Sequence, residues 1–287
     1  MKTVKIAYIS DIHREVYEYR NLMIDFDTDI LLLGGDIDIE MKGVHWAKKE
    51  FPHVKKIIYI PGNHEYDTLD YTFHELENEF KNYKDPDNIV HVLMDNELIL
   101  DTNNIKIRIL GTTLWTDFSL YGEEYQKRGA KFSYRKMPEY KYNDDLTPHD
   151  TAVRYINSIN WLDEKLKNKL YDCFDIVLTH HAPLKESIQK KFEDQLLTTA
   201  FANDLKKFIS IHQPDFWIYG HLHTNFDAKL GKTRILSNCV GYNPNVTGLL
   251  EAKYIILKEK TDEIRILEEF PIHDNDELII KHKQEGW

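Results

Sequence analysis

The sequence predicts an α/β protein, α+β by some schemes, in which two mixed β-sheets pack face to face and helices flank both. Three observations carry that expectation. Within the first 65 residues, continuous β-branched runs alternate with amphipathic stretches, the pattern of buried strands joined by helical crossovers. From residue 89 to 115 short apolar runs alternate around Asn and Asp turn signals, as meandering strands do. After residue 212 the chain reads mostly as strand, and sheets with helices outside both satisfy that order.

Taken in order, "KIAYIS" is the first strand, Glu15 to Phe26 reads as a mixed, helical crossover, and "DILLLGG" is the second strand. A helix from about Lys42 to Phe51 leads to "KKIIYIPG", and another is expected from Thr72 to Lys84. The stretch "IVHVLMDNELILDTNNIKIRILGTTLW" switches to antiparallel pairing. Residues 117 to 148 hold many aromatics and charges, Gly122 and Gly129, and no period of 2 or 3.6, which predicts an irregular inserted loop. A helix from about Pro148 to Leu170, the strand in "CFDIVLTHHAP", a helix from Thr198 to Ile211 and the strand "DFWIYGHLH" follow. "KTRILSN", "LEAKYIIL" and "EIRILEEF" complete the strands. There are no repeats, low-complexity tracts or proline-rich linkers, so residues 1–287 are expected to form one domain carrying that insertion.

A formal charge of −11 with 30% charged and 42% hydrophobic residues describes an acidic globular chain and disfavours a general nucleic-acid scaffold. No membrane association and no stable nucleic-acid partner are expected, because the longest apolar runs are strand-sized, far below the roughly 20 residues of a membrane helix. Two cysteines, Cys173 and Cys239, make no disulfide framework and suit a cytoplasmic location. The N-terminal apolar run meets Asp11 and His13 rather than a cleavage site.

Function shows in where the apolar runs stop. "KIAYIS" ends at "DIH", "ILLLGG" at "D", "IIYIPG" at "NHE", "DIVLT" at "HH" and "FWIYG" at "HLH". Ligands of open α/β sheets bind beyond the carboxyl ends of strands, so five strands would deliver Asp, Asn and His to one edge. Each residue has a plain alternative role as a helix cap, turn residue or loop histidine. Jointly they point to a metal centre.

With "DIH" at 11–13, "GD" at 35–36, "GNHE" at 62–65, "THHAP" at 179–183 and "GHLH" at 220–223, the chain resembles the calcineurin-like metallophosphoesterases and their four-layer sandwich. The resemblance implies two divalent ions, Mn²⁺, Fe or Zn²⁺, since mixed imidazole and oxygen donors suit borderline first-row metals. Asp11, His13, Asp36 and His223 would surround one, and Asp36, Asn63, His180 and His221 the other, with Asp36 bridging. Residues i and i+2 of an extended segment point the same way, which would let His221 and His223 serve the same pair. The resemblance departs at Ile39, where relatives often carry an acid, and at "THHAP", where His180 aligns with the ligand and His181 is left as a supporting or substrate-facing candidate.

Such a pair implies a bridging hydroxide that attacks a phosphate ester in line. His64, inside "GNHE" but outside the ligand set, is the candidate proton donor to the leaving group, with an orienting contact as its alternative role. Residues 127–141 hold six Lys or Arg against Glu139 alone, a local excess of +5 in a chain of −11. Lys131, Arg135 and Lys136 are therefore candidate substrate contacts, with Phe132, Tyr134, Tyr140 and Tyr142 available for stacking. A solvated charged loop is the plain alternative. The expected partner is a small phosphorylated molecule such as a nucleotide, with a phosphodiester favoured over a monoester. A phosphomonoesterase, a silent binding module of the same fold and a DNA repair nuclease are the other classes weighed.

Overall fold

A computed structural model describes residues 2–18, 20–242, 249–259 and 279–283. In chain order the strands and helices are β1 (Thr3–Ile9), β2 (Asn21–Met23), β3 (Ile30–Leu33), α1 (Lys42–Glu50), β4 (Lys56–Tyr59), α2 (Phe73–Asn82), β5 (Val90–Val92), β6 (Asn96–Thr102) and β7 (Ile105–Thr112). Then come α3 (Glu123–Lys136), α4 (Glu139–Tyr142), α5 (Pro148–Lys167), β8 (Cys173–Thr179), α6 (Lys206–His212), β9 (Phe216–Tyr219), β10 (Phe226–Leu230), β11 (Thr233–Ser237), β12 (Leu249–Glu251), β13 (Lys253–Lys258) and β14 (Ile279–Lys283).

One sheet runs β13-β1-β3-β4-β5 and is parallel except at β13; the other runs β14-β10-β11-β9-β8-β7-β6, parallel from β11 to β7 and antiparallel at both margins. The two pack face to face. Val4, Ile6, Ile30, Leu32 and Ile58 of the first meet Ile107, Ile109, Ile176, Leu178 and Ile218 of the second in one buried cluster. The opposite face of the first sheet (Ala7, Leu31, Ile57) takes α1 and α2 through Val44, Ala47, Phe73 and Leu76. That of the second (Leu110, Val177, Trp217) takes α5 and α6 through Leu162, Leu166 and Ile209. The result is four layers, helix on sheet on sheet on helix. Strands covered on both faces have no need to alternate, which is why β3 and β9 read as unbroken apolar runs and β8 as one interrupted only by Asp175, which pairs with Arg108, before its terminal Thr179.

Several local expectations need correction. The described residues of Glu15–Phe26 hold no helix: the chain turns and forms β2, whose exposed-buried-exposed Asn21, Leu22 and Met23 have a strand's period and pair with β12. The segment 117–148 is largely helical, with α3, α4 and the first residue of α5. Its main helix, α3, buries only Gly129 and Ser133, so it has no apolar stripe to read. It docks through small size instead, since a Cβ on Gly129 would collide with Thr199. The helix expected over 198–211 is confined to α6, because residues 202–205 run beside residues 182–183, with Asn203 N–H donating to the Ala182 carbonyl and Leu205 N–H to that of Pro183. "LEAKYIIL" splits into β12 and β13, which join different sheets. "EIRILEEF" lies outside the described residues. Among the described residues no helix is long and apolar enough to cross a membrane.

Candidate metal centre

The loops beyond β1, β3, β4, β8 and β9 interlock through their backbones. Asp11 N–H donates to the Gly35 carbonyl, His13 N–H to that of Asp36, and Gly220 N–H to that of His180. Five side-chain donors sit on left-handed backbone: Asp11 (φ 56°), His13 (53°), Asp36 (53°), His221 (70°) and His223 (48°). Such conformations cost non-glycine residues of the order of 1–3 kcal/mol each and persist where surrounding contacts impose them. Left-handed backbone also corrects the reason given for the His221 and His223 pair: the two converge from a sharply bent segment, not from an extended one. Room for this crowding comes from glycine. A Cβ on Gly35 (φ 86°) would lie 2.6 Å from His180 Nδ1, and one on Gly62 would strike Asp36 Oδ1.

The candidate ligands from these loops come together. Asp11, His13 and His223 form one group, and Asp36, His180 and His221 another, with ligand atoms in each within 4.8 Å of one another. His13 Nε2 and His223 Nε2 face each other at 3.0 Å, and His223 Nε2 is 3.3 Å from Asp11 Oδ1. In the second group His180 Nε2 lies 3.1 Å from Asn63 Oδ1, 3.2 Å from His221 Nδ1 and 3.2 Å from Asp36 Oδ2. Asp36 Oδ2 is also 4.0 Å from His13 Nε2, so this one oxygen faces both groups. His64 joins His13 and Asp36 in a third group that meets the same distance limit.

These residues suit cations. His180 Nδ1 is 2.8 Å from the Gly34 carbonyl and His13 Nδ1 is 2.8 Å from Glu15 Oε1; each partner takes that ring proton and leaves Nε2 as a lone pair aimed inward. Asp36 Oδ2 is buried with no hydrogen-bond geometry to any partner among the described residues, although His180 lies within ion-pair distance. Buried polar atoms are seldom left so, and a metal ion would account for this one. Burial holds His13 below its ordinary value, and burial with the neighbouring His181 and His180 holds His221 far below, so both are neutral and would serve as neutral ligands. Burial alone would raise Asp11 and Asp36, but His223 in the first case and His180 in the second hold them down as anions. Against its own burial, His180 is drawn up to about 9 by Asp36, which marks the place as one that attracts positive charge.

His64 lines the adjoining cavity, with Nε2 2.8 Å from the Tyr242 hydroxyl and Nδ1 3.2 Å from Asp67 Oδ2 and 3.4 Å from Glu15 Oε1. Burial opposes its charging, yet Asp36 with the Glu15 and Asp67 carboxylates pulls it up to about 10. Tyr242 also stacks on His13, with ring centroids 4.2 Å apart.

Three supporting residues escaped the sequence reading. Glu65, fully buried, accepts from the backbone N–H groups of Asp36 (3.0 Å), Ile37 (3.1 Å) and Gly62 (2.7 Å) and from the Tyr59 hydroxyl (2.6 Å), tying the Gly-Asp loop to the Gly-Asn-His-Glu loop. Its place in "GNHE" was the available signal. Glu15 had a weaker one, two residues beyond His13, and Tyr242 had none, since 178 residues separate it from His64.

The four remaining candidates are not brought to the cavity. His181 is buried behind the centre, Nδ1 3.2 Å from the Thr113 carbonyl and its ring 4.3 Å from that of His221; burial and the charge of His180 push it down to about 3. Lys131, Arg135 and Lys136 are exposed on α3, because the face of α3 that meets the domain is the one bearing Gly129 and Ser133. The cavity, about 300 Å³, is lined instead by Met137 and Pro138 just beyond α3, and by Ile188, Phe192, Phe201 and Tyr242.

A family model described as calcineurin-like phosphoesterase matches residues 4–225. An uncharacterized protein of Acanthamoeba polyphaga mimivirus is 30% identical over 268 residues, 83% of this chain and 91% of the viral one. Among solved structures, a phosphopantetheinyl hydrolase (PptH) of Mycobacterium tuberculosis superposes with a TM-score of 0.61 at 15% identity, covering 83% of this chain and 89% of its own, which is a likeness of fold.

Proposed function

The chain belongs to the calcineurin-like phosphoesterases, and from that premise we propose that it hydrolyses a phosphate ester at a centre for two divalent cations. The observation that carries this reading is Asp36 Oδ2, a buried carboxylate oxygen facing both histidine-containing groups with no hydrogen bond of its own. Asp11, His13 and His223 would hold one ion, Asn63, His180 and His221 the other, and Asp36 both. When bound, such a pair supplies Lewis acidity to phosphate oxygens and an activated water at neutral pH. Imidazole and oxygen donors together favour Mn²⁺, Fe or Zn²⁺.

The chain's own residues do the rest. Asn63 and Asp36 lie at the floor of the cavity and fix where a phosphate can sit. His64 faces the Tyr242 hydroxyl with one ring nitrogen and Asp67 and Glu15 with the other, contacts that support a role in giving a proton to the leaving oxygen once the substrate displaces the Tyr242 hydroxyl. A phosphodiester is favoured over a monoester: no Lys or Arg is among the described residues lining the cavity, so a substrate with one negative charge fits better than one with two. Both cysteines are buried thiols, which supports the cytoplasm as the place of work.

The test is a screen of nitrophenyl phosphate mono- and diesters with Mn²⁺, Fe²⁺ or Zn²⁺, before and after chelation, beside metal analysis of wild type and Asp36→Asn. Chelation should abolish turnover and lower the thermal midpoint, and Asp36→Asn should lose ions from both positions. Turnover that survives thorough chelation would overturn the reading.

A further inference from the structure

The cavity beside the centre has two unlike walls. One is polar and consists of the candidate centre itself, Asp36, Asn63, His64, His221 and His223. The other is apolar and gathers residues distant in sequence: Met137 and Pro138 from the turn between α3 and α4, Ile188 and Phe192 from the segment after β8, and Phe201 and Leu222. The uncharged polar groups on the lining are already engaged. Gln189 donates its amide N–H to Thr224, Thr198 donates its hydroxyl to the Phe192 carbonyl at 2.6 Å, and the Tyr242 hydroxyl lies 2.8 Å from His64.

A charged group that entered beyond the metal-facing wall would therefore lose water and, among the described lining residues, meet no Lys or Arg to offset its charge. Burying an ion on those terms is among the most costly events in a protein interior, whereas an apolar group gains from the same transfer. The volume, about 300 Å³, sits at the small end of ligand pockets, enough for one ring or a short chain.

Resting on the phosphoesterase reading above, we infer that the substrate carries a single phosphate, one ester substituent of which is an uncharged apolar or aromatic group of ring size, seated against Ile188, Phe192 and Phe201. A second phosphate or a carboxylate on that substituent is selected against, so nucleoside di- and triphosphates are outside the substrate class.

Calorimetric titration of the Mn²⁺-loaded protein with methylphosphonate, phenylphosphonate and 4-carboxyphenylphosphonate tests this without relying on turnover. The phosphonate head is common to all three and cancels in the ratios. Phenylphosphonate should bind at least about tenfold more tightly than methylphosphonate, and the 4-carboxylate should forfeit most of that gain. Phe192→Lys places an ammonium on the apolar wall and should reverse the preference between the phenyl and carboxyphenyl compounds. Equal affinities of the methyl and phenyl compounds, or of the phenyl and carboxyphenyl compounds, in the wild type would overturn the inference even if the lysine variant fails to fold. In either case metal-dependent hydrolysis would leave the phosphoesterase reading standing. Failure of all three to bind, with no ester hydrolysed, would remove both.

Discussion

Replacing Glu65 by Gln changes one oxygen to an amide and tests whether the buried carboxylate is what holds the Gly-Asp and Gly-Asn-His-Glu loops of the candidate centre together. Oε2 accepts from Asp36 and Gly62 N–H, and Oε1 from Ile37 N–H and the Tyr59 hydroxyl. The glutamine would keep its oxygen at the Oε2 position, because turning the amide there would set it against two backbone donors. At the other position the Tyr59 hydroxyl can rotate to accept, but Ile37 N–H is left buried without a partner. An orphaned buried donor costs about 1–3 kcal/mol, and above pH about 8, the value to which burial and Asp36 raise Glu65, the retained bonds also lose their charge assistance, which is worth roughly another 1 kcal/mol. A total near 3 kcal/mol there corresponds to a fall of about 5–10 °C in thermal midpoint for a chain of this size. Because Asp36 N–H and Gly62 N–H hang on the same carboxylate, metal affinity should fall about 10- to 100-fold, the usual effect of losing a group that orients ligands. Differential scanning calorimetry and metal titration read the two effects. A variant whose midpoint stays within about 2 °C and which binds Mn²⁺ as tightly as wild type would refute the reasoning.

His64→Ala should slow turnover roughly 10²- to 10⁴-fold with metal content retained, and less for nitrophenol than for alkyl leaving groups; loss of metal would instead make His64 a ligand. Tyr242→Phe, which removes only the hydroxyl 2.8 Å from His64, should lower kcat roughly 2- to 10-fold with KM little changed. Asp85 is held below its ordinary value: burial would raise it, but Lys48 and the N–H groups of Val90, Ile89 and Asp87 outweigh that. Its contribution is therefore complete above the unfolded carboxyl value of about 3.9 and is lost as pH falls below it, so the gap in thermal midpoint between wild type and Asp85→Asn should narrow below about pH 4. A gap undiminished at pH 3 would contradict this. Neutralising Lys131, Arg135 and Lys136 together should change kcat/KM less than about threefold for a charged substrate, since the three are exposed and water screens them; a large, salt-sensitive loss would give them back a part in substrate capture.

What the sequence determined by itself was local in kind. An apolar run that stops at Asp, Asn or His is visible in a few residues, and a strand covered on both faces is predominantly apolar, so β1, β3, β4, β8 and β9 and the polar residues at their ends could be read directly. The order of those ends, taken with the family resemblance, also identified the residues that now lie together. Tertiary structure decided what depends on distant partners. Helix α3 was illegible because it docks through Gly129 and Ser133, and small residues leave no periodic apolar signal. The left-handed backbone at His221 and His223 is imposed by contacts such as His221 N–H to the Asp11 carboxylate, 210 positions away. Tyr242 reaches His64, and the apolar wall assembles from Met137, Ile188 and Phe201, only when separate loops meet above the sheet edge. A side chain's chemistry is written in the sequence, but the cavity it faces is formed by every segment that packs around it.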